Sequence, residues 1–357
     1  MELKKVLSIV GARPQFVKLA PMVRACAGTV DHVIVHTGQH YDDAMSRVFF
    51  EDLSIPSPDY NLGVGSGTHA VQTASFMTGL EEILVNERPD IVVVYGDTNS
   101  TIAGALVGAK LNIPVAHIEA GLRSFDRSMP EEINRIIADR VSSFLFCPTS
   151  AAMNNLSHEG MANSSYLVGD VMLDALMMYQ HRIGDHSHVL DRLQVEDKRY
   201  YLATIHRASN TDNATNLACI LDALDCLDAP VIFPLHPRTK KSLEHPGPGP
   251  KVKGNILFVE PVGYLDMLAL EKHAKKVLTD SGGVQKEAYI LGTPCVTLRG
   301  ETEWVETLEG FWNVLAGVKR DAILAAAGST PVGFRQQPYG DGHAAEKIVE
   351  ILLQVVG

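Results

Sequence analysis

The chain has 357 residues, of which 46% are hydrophobic and 20% are charged. This composition predicts a globular protein of about two domains with a full core, and it excludes a disordered chain. The 31 Lys and Arg residues against 42 Asp and Glu residues give a formal net charge of −11, which argues against an extensive surface for nucleic acid or an anionic membrane.

The cysteines and the apolar segments indicate the compartment. The five cysteines form no CxxC pair, so we expect small buried thiols in a reducing environment. No segment reaches the ~20 apolar residues of a membrane span. The apolar run near the N-terminus leads into Arg13 without the cleavage site of a signal peptide. The sequence therefore predicts a cytoplasmic protein.

Short β-branched runs alternate with helical patterns through the first half of the chain. This alternation predicts βαβ units and a parallel sheet. The clearest helix is predicted for residues 68–86, where apolar side chains recur at helical spacing. The predicted strands are Val6–Val10, His32–Val35, Ile91–Tyr95, Pro114–Ile118 and Phe144–Cys147.

A charged stretch at residues 181–198, rich in His and Asp, interrupts the alternation. We interpret it as the connection between an N-terminal domain (1–180) and a C-terminal domain (199–338). Two similar halves predict an α/β protein with two facing, Rossmann-like, doubly wound domains. The strands predicted in the second half are Tyr201–Ile205, Val231–Leu235, Ile256–Val259, Lys276–Thr279 and Pro294–Leu298.

Polar, titratable and glycine residues follow the predicted strands repeatedly. Open parallel sheets bind ligands at the carboxyl ends of their strands, and a purely structural protein has no reason to collect such residues there. The segments concerned are Gly11-Ala12-Arg13, Thr37-Gly38-Gln39-His40, Gly96-Asp97-Thr98, Glu119-Ala120-Gly121, His206-Arg207, His236-Pro237-Arg238 and Asp280-Ser281-Gly282-Gly283.

Ser281-Gly282-Gly283 follows a strand and opens a helix. The glycines allow a ligand to approach the backbone, and the first N–H groups of the helix favour an anion such as a diphosphate. A simple helix cap would explain the serine but not the paired glycines. Glu287 lies one turn into this helix, where its carboxylate can accept hydrogen bonds from ribose hydroxyls or can be an ordinary surface residue.

Three carboxylates of the first half are candidates for acid–base chemistry. Asp97 and Glu119 end strands, and Glu131 begins a helix after Pro130. Clustered carboxylates with separated pKa values suit the removal and return of a proton. The alternative is that some of them cap helices or pair with arginines, and we favour that alternative for Glu132.

Cations at the first strand end suit an anionic ligand. Arg13 and Lys18 stand at the entry to the first helix, where they can be surface charges or can bind phosphate. A metal site is not expected because the histidines show no ligand spacing. Gly63–Gly67 follows no convincing strand, so we give little weight to a dinucleotide fingerprint.

Taken together, these segments resemble the non-hydrolysing UDP-N-acetylglucosamine 2-epimerase family. The matching motifs run in order from residue 11 to beyond residue 300, so the resemblance covers most of the chain. They are Gly11-Ala12-Arg13-Pro14 with Lys18, Gly96-Asp97-Thr98, His117–Arg123, Pro130–Arg135, His206-Arg207, His236-Pro237, Thr279–Gln285 with Glu287, and Thr302-Glu303.

The resemblance implies two Rossmann-like domains of the glycosyltransferase-B type, with a C-terminal helix (339–357) that returns to the first domain. It also implies a homodimer and a UDP-activated N-acetylated amino sugar as substrate. The family uses no NAD, and we expect neither NAD nor a metal as cofactor.

The mechanism that the resemblance implies is epimerisation at C2. UDP-GlcNAc loses its C2 proton and UDP by anti elimination, which gives bound 2-acetamidoglucal. Syn re-addition of UDP, with a proton delivered to the opposite face of C2, gives UDP-ManNAc. A water-excluding cleft protects the intermediate.

The resemblance also assigns roles to residues of this chain. Asp97, Glu119 and Glu131 become the acid–base carboxylates, and His206 stabilises the departing UDP, whose β-phosphate gains negative charge. The expected substrate-binding residues are Arg13, Lys18, Gln39, His40, Arg135, Arg207, His236, Met267, Ser281, Gly282, Gly283, Glu287 and Arg299.

The sequence departs from the family pattern at two motifs. Trp304 follows Thr302-Glu303 where many members have Arg, and Ser209 stands where many have Glu. Together with Gln15-Phe16, the Trp304 segment is similar to the branch that acts on UDP-2,3-diacetamido-2,3-dideoxyglucuronate for surface polysaccharides. This branch is the alternative for the sugar.

Two other classes of function remain open at the level of sequence. A glycosyltransferase of the same architecture would use the same UDP site, although a retaining transferase does not need the carboxylate trio. A non-catalytic UDP-sugar sensor would be free to lose that trio.

Overall fold

The computed structural model describes residues 4–38, 50, 53–185, 188–244 and 254–355. The chain divides into two compact units. The first unit comprises the residues up to Met178 together with those from Pro338 onward, and the second unit comprises Tyr179–Gln337.

The first unit contains a seven-stranded sheet in which every neighbouring pair of strands is parallel. The strand order is β3-β2-β1-β4-β5-β6-β7. The strands are β1 (Lys5–Val10), β2 (Asp31–His36), β3 (Tyr60–Asn61), β4 (Ile91–Tyr95), β5 (Val115–Ile118), β6 (Phe144–Cys147) and β7 (Ser165–Leu167). The helices between and after them are α1 (Arg13–Cys26), α2 (His69–Glu87), α3 (Asn99–Lys110), α4 (Pro130–Val141), α5 (Ser150–His158) and α6 (Val171–Asp185).

The second unit contains a six-stranded parallel sheet with the order β10-β9-β8-β11-β12-β13. Its strands are β8 (Tyr201–Thr204), β9 (Val231–Pro234), β10 (Ile256–Val259), β11 (Lys276–Thr279), β12 (Cys295–Thr297) and β13 (Asn313–Leu315). Its helices are α7 (Val189–Leu193), α8 (Ala208–Thr211), α9 (Ala214–Asp225), α10 (Pro237–Glu244), α11 (Tyr264–His273), α12 (Gly282–Leu291) and α13 (Arg320–Gly328), and α14 (Ala344–Val355) follows in the first unit.

Both sheets reverse their strand order beside the first strand of the unit, which is the Rossmann arrangement that places ligands at the carboxyl ends of the strands. The predicted fold class of two doubly wound α/β domains is confirmed. Each strand predicted from the sequence is present with ends that agree within one residue. The prediction missed β3, β7 and β13.

The central strands are apolar on both faces because helices cover each sheet on two sides. In β4, Ile91, Val92, Val93 and Val94 are all fully buried. Helix α2 contributes Phe76 and Leu80 to the same core. Thr68 caps this helix by accepting a hydrogen bond from the backbone N–H of Val71 at 3.4 Å.

The stretch 181–198, predicted as a connection, contains regular structure where it is described. Helix α6 continues to Asp185, and α7 follows at Val189. Arg192 of α7 forms an ion pair with Asp266 of α11 at 2.7 Å, so this part packs within the second unit.

The C-terminal helix α14 packs against α1 in the first unit. Its second residue, Ala345, donates its backbone N–H to the buried carboxylate of Asp174 at 2.7 Å. Within the described residues, no helix combines the length and the apolar character needed to cross a bilayer.

Candidate active site

The turn after β1 is organised by a buried glutamine. The side-chain oxygen of Gln15 accepts hydrogen bonds from the backbone N–H groups of Gly11 and Ala12 at 2.8 and 3.0 Å. Its amide group donates to the carbonyl oxygen of Tyr95 at 2.8 Å. Gln15 therefore ties the start of α1, where the half-buried Arg13 lies, to the end of β4.

A buried ion pair joins Lys18 on α1 to Glu119, which follows β5. Glu119 has a φ of 72°, a left-handed conformation that is costly for a residue with a side chain and is typical of functional sites. Gly96 lies beside this pair. A Cβ atom on Gly96 would lie 2.9 Å from Glu119 Oε2 and 3.2 Å from Lys18 Nζ, so the glycine makes room for the pair.

Asp97, the next residue, contacts the almost fully buried Arg135 of α4 at 2.5 Å, while 34% of the Asp97 side chain remains exposed. Loss of hydration raises the pKa of Asp97, and the charges of Glu131 and Glu119 raise it further. Arg135 and Lys18 oppose this shift only in part. Glu119 and Glu131 are thus each close enough to Asp97 to influence its charge.

Glu132 has the structural role that the sequence favours for it. Its carboxylate accepts from the backbone N–H groups of Ser124 and Phe125 at 2.9 and 3.0 Å and pairs with Arg135 at 2.8 Å. Burial alone would raise the pKa of Glu132, but these hydrogen bonds and the charge of Arg135 lower it. Arg135, predicted to bind the substrate, contacts two carboxylates of the protein.

In the second unit, the buried Asp280 organises the turn after β8. Its carboxylate accepts from the backbone N–H groups of His206 and Arg207 at 3.0 and 3.1 Å. It also accepts from the side-chain amide of Asn210 at 3.0 Å. This arrangement fixes the backbone from which the imidazole of His206 extends.

The ring of His206 is 37% exposed and lies 5.3 Å from the ring of His236. Loss of hydration lowers the pKa of His206. The carboxylate of Asp280 opposes this effect, but the charges of Arg207, Arg299 and Arg238 reinforce it. His206 thus lies in a positive electrostatic environment suited to an anionic ligand.

The predicted diphosphate segment forms the N-terminus of α12. Ser281 caps the helix by accepting from the backbone N–H of Val284 at 3.5 Å. The nearest neighbour of a Cβ atom added to Gly283 would be Ser281 Oγ at 3.9 Å. The first turn of the helix can therefore be approached closely by an anion.

Glu287 lies one turn further along α12 and is buried. The hydroxyl group of Tyr264 donates a hydrogen bond to Glu287 Oε1 at 3.1 Å. Tyr264 and the half-buried Met267 both belong to α11. Helix α11 packs against α12, so the predicted substrate-binding residues Met267 and Glu287 lie on neighbouring helices.

Arg299 follows β12 and is buried with Glu303, whose carboxylate it contacts at 3.0 Å. The Nε and Nη1 atoms of Arg299 are buried without a hydrogen-bond partner in the described part of the chain. Buried donors of this kind are costly to leave unsatisfied. Arg299 is therefore suited to a further acceptor such as a phosphate oxygen.

Of the predicted site residues, Gln39 and His40 lie outside the described residues. Asp97, Glu119, Glu131, Lys18 and Arg135 form a cluster in the first unit. The predicted substrate-binding residues of the second unit lie at its strand ends and on α11 and α12. Among the residues that the structure describes, no group of three His, Cys, Asp or Glu side chains is arranged to hold a metal ion.

Two residues with clear positions around this cluster were missed as site residues. Gln15 was noted only for its resemblance to one branch of the family. Asp139 lies buried on α4 and contacts His117 and Arg123 at 2.7 Å. The signal for Asp139 was its spacing, because it lies four residues after Arg135 on the helix face that is buried.

The sequence model of the UDP-N-acetylglucosamine 2-epimerase family matches residues 24–353. The chain belongs to this family. The family makes the protein an isomerase that acts on a nucleotide sugar.

Two relatives and one solved structure are similar over nearly the whole chain. A UDP-N-acetylglucosamine 2-epimerase homolog of Methanococcus maripaludis is 51% identical, covering 98% of this chain and 99% of the relative. The UDP-2,3-diacetamido-2,3-dideoxy-D-glucuronate 2-epimerase of Pseudomonas aeruginosa is 46% identical, covering 98% of this chain and 100% of the relative.

The crystal structure of the Methanocaldococcus jannaschii UDP-GlcNAc 2-epimerase in complex with UDP-GlcNAc and UDP has a TM-score of 0.89 and 43% sequence identity, covering 99% of this chain and all (100%) of that chain. The fold is therefore that of these epimerases, and the predicted glycosyltransferase-B type is confirmed.

Proposed function

We propose that the protein interconverts UDP-GlcNAc and UDP-ManNAc. A carboxylate of the first unit removes the C2 proton, and the electron pair of the C2–H bond forms the C1–C2 double bond. The C1–O bond breaks with its electron pair on UDP, which gives bound 2-acetamidoglucal. UDP then adds back to C1, and a second carboxyl group delivers a proton to the opposite face of C2.

The observation that supports this chemistry best is the carboxylate cluster. Asp97 is held by Arg135, and its pKa is raised by loss of hydration and by the charges of Glu131 and Glu119. Acid–base catalysis at a carbon centre needs groups that differ in proton affinity, since one removes a proton and another returns one. A transferase or a sensor has no need of such a cluster.

The second unit has groups suited to the departing nucleotide. We propose that His206, Arg207, Arg299 and the start of α12 stabilise the negative charge that develops on the β-phosphate. Glu287 accepts hydrogen bonds from the ribose, and Met267 contacts the uracil. In this account Arg13 binds the diphosphate from the first unit, and Arg135 acts by holding Asp97. Gln39, His40 and His236 remain proposed contacts of the substrate.

The proposed reaction requires neither NAD nor a metal, because UDP itself is the leaving group that returns. Turnover without added nicotinamide, and in the presence of a chelator such as EDTA, is the expected result. Activity that depends on either addition would contradict this part of the proposal.

The alternative substrate is UDP-2,3-diacetamido-2,3-dideoxyglucuronate, with the same change at C2. A Pseudomonas aeruginosa relative with 46% identity is named for this substrate, and Trp304 favours it for this chain. The Trp304 side chain is buried, and Lys286 Nζ lies 3.9 Å from the centre of its ring. Many family members carry Arg at this position. Trp304 therefore replaces a positive side chain with an uncharged ring, which changes how the site can recognise a charged sugar.

A side-by-side assay in D₂O tests the proposal and separates the two sugars. The protein is incubated with each UDP-sugar, and C2 is followed by NMR. We expect UDP-ManNAc that carries deuterium at C2 to form from UDP-GlcNAc. Exchange with the diacetamidoglucuronate alone would assign the alternative sugar, and no exchange with either would reject epimerisation.

We further propose that the protein is cytoplasmic, where nucleotide sugars are made, and that it forms a homodimer. Light scattering of the purified protein tests the second point, with twice the 38.8 kDa chain mass expected. A monomeric mass would contradict it.

A further inference from the structure

His117 lies at the centre of a buried polar network in the first unit. It belongs to β5 and is fully buried. Its Nδ1 atom lies 2.7 Å from Asp139 Oδ1, and its Nε2 atom lies 2.7 Å from the carbonyl oxygen of Gly96. Both ring nitrogens are therefore within hydrogen-bond distance of oxygen acceptors.

The partners determine how many protons the ring carries. A carbonyl oxygen only accepts, so Nε2 must donate to Gly96. An ionised carboxylate also only accepts, so Nδ1 must donate as well unless Asp139 is itself protonated. The ring with two N–H donors is the imidazolium ion.

The surroundings of Asp139 favour its ionised form. Its Oδ2 atom accepts from Arg123 Nη1 at 2.7 Å and from the backbone N–H of Gly121 at 3.2 Å. Burial alone would raise the pKa of Asp139, and the charge and hydrogen bond of Arg123 act in the opposite direction and lower it, whatever the state of His117. A carboxylate beside a guanidinium group retains its charge.

The charges of the network balance when His117 is protonated. Arg123 also pairs with Glu159 at 2.7 Å, so two positive side chains then face two negative ones. Cys147 of β6 adds no charge, because burial raises the pKa of its thiol. A neutral His117 would turn an unprotonated Nδ1 toward the buried carboxylate oxygen of Asp139 with no proton between the two atoms, which is unfavourable.

The network supports both turns that carry predicted acid–base residues. Gly96, which accepts from His117, directly precedes Asp97 and has a φ of 62°. Gly121, which donates to Asp139, lies two residues after Glu119. A charge-assisted hydrogen bond from an imidazolium ion to the Gly96 carbonyl is stronger than a neutral one.

We propose that His117 is held as the imidazolium ion between its two acceptors and is a positioning residue, which fixes the Gly96-Asp97 turn for catalysis through a charge-assisted hydrogen bond. The positioning part rests on the proposed function of Asp97, whereas the charge state of the ring does not.

NMR of protein labelled with ¹⁵N-histidine tests the charge state directly. The His117 resonances are assigned by their loss in His117→Gln, or in His117→Asn if the first variant does not fold. We expect both ring nitrogens to be protonated at neutral pH. His32 is the internal reference, because burial lowers its pKa to about 4 and keeps its ring neutral. One unprotonated His117 nitrogen at neutral pH would overturn the proposal.

Kinetics of the same variant test the positioning role. We expect His117→Gln to lower kcat by about 10- to 100-fold, as small misplacements of catalytic groups do, with an unchanged Kd for UDP. His32→Gln is the matched control, since His32 is also a histidine of the same sheet and has Ser8 as its partner at 2.8 Å. The kcat of this variant should stay within about twofold of the wild-type value.

The outcomes separate the inference from the proposed function. Unchanged kcat in His117→Gln would refute positioning even if the ring is charged. If the wild-type protein does not epimerise UDP-sugars, the proposed function fails, and the NMR result still decides the charge of His117.

Discussion

Arg135 joins the side chain of Asp97 to that of Glu132. Its guanidinium group lies 2.5 Å from Asp97 Oδ2 and 2.8 Å from Glu132 Oε2. Glu132 is buried and accepts two backbone hydrogen bonds, whereas Asp97 is partly exposed. Glu132 thus fixes Arg135, and Arg135 fixes the carboxylate that we propose for catalysis.

Replacing Asp97 by Asn should abolish turnover and leave the nucleotide site intact. Asparagine has nearly the same shape but cannot exchange a proton, so kcat should fall by at least about 100-fold. The Kd for UDP, measured by calorimetry, should stay within about twofold because Asp97 is not among the proposed UDP contacts. Turnover at the wild-type rate would remove Asp97 from the mechanism.

Replacing Arg135 by Gln should shift the pH dependence of kcat/KM. The positive charge of Arg135 lowers the pKa of Asp97, so its removal leaves the pKa higher still. The limb of the pH–rate profile that reports Asp97 should therefore move to higher pH. Arg140→Gln is the matched control, because Arg140 is an exposed residue of the same helix. A shift to lower pH would contradict the electrostatic account.

Replacing Gly96 by Ala should disturb the Lys18–Glu119 pair. The added Cβ would lie 2.9 Å from Glu119 Oε2, and the φ of 62° would be strained. Gly28→Ala is the matched control, because Gly28 has a similar φ of 74° but no atom lies within 4 Å of a Cβ added there. Both variants should lose about 1–3 kcal/mol of stability, and only Gly96→Ala should lose most of its kcat. Equal kcat values would show that the pair has no catalytic role.

Replacing Glu287 by Ala should weaken nucleotide binding. Loss of charged hydrogen bonds to the ribose should raise the Kd for UDP by about 10- to 100-fold. The Kd for inorganic pyrophosphate, which has no ribose, should not change. Glu260→Ala serves as the control, since the side chain of Glu260 is 82% exposed. Equal loss of affinity for both ligands would place the effect at the diphosphate and not at the ribose.

Replacing Glu132 by Gln should reduce stability in a pH-dependent way. The folded protein lowers the pKa of Glu132 from its ordinary value of 4.5. The ionised carboxylate therefore stabilises the fold fully above pH 4.5. This contribution is lost as the pH falls through the lowered pKa. Urea unfolding should show wild type about 1–3 kcal/mol more stable than the variant at neutral pH. The difference should shrink in acid. A difference in stability that stays constant with pH would contradict this explanation. Glu350→Gln, at an exposed residue, is the control and should have the stability of the wild type at each pH.

The sequence predicted the central strands well because their signal is local. Ile91–Tyr95 and Phe144–Cys147 are apolar runs between turns, and the structure begins and ends both strands at those residues. β3, β7 and β13 were missed because they have only two or three residues and lie at sheet edges, where one side is exposed and the apolar pattern is weak.

The candidate site was predicted in its residue types but not in its pairings. The position of Lys18 suggested an anion site, yet its partner is Glu119, 101 residues away. Arg135 was expected to bind the substrate, yet it holds Asp97. Such contacts depend on how helices pack on the sheet, which spacing along the chain does not encode.

The central claim is that loss of the C2 hydrogen and cleavage of the C1–O bond belong to one reaction. UDP-GlcNAc with ¹⁸O in the bridge between C1 and the β-phosphate, incubated in D₂O, tests it directly by mass spectrometry and ³¹P NMR. The account predicts deuterium at C2 together with ¹⁸O in the non-bridging β-phosphate positions of recovered substrate. Once the C1–O bond is broken, the β-phosphate of the bound UDP can rotate and re-add through any of its three terminal oxygens. Deuterium at C2 with all ¹⁸O still in the bridge would contradict it.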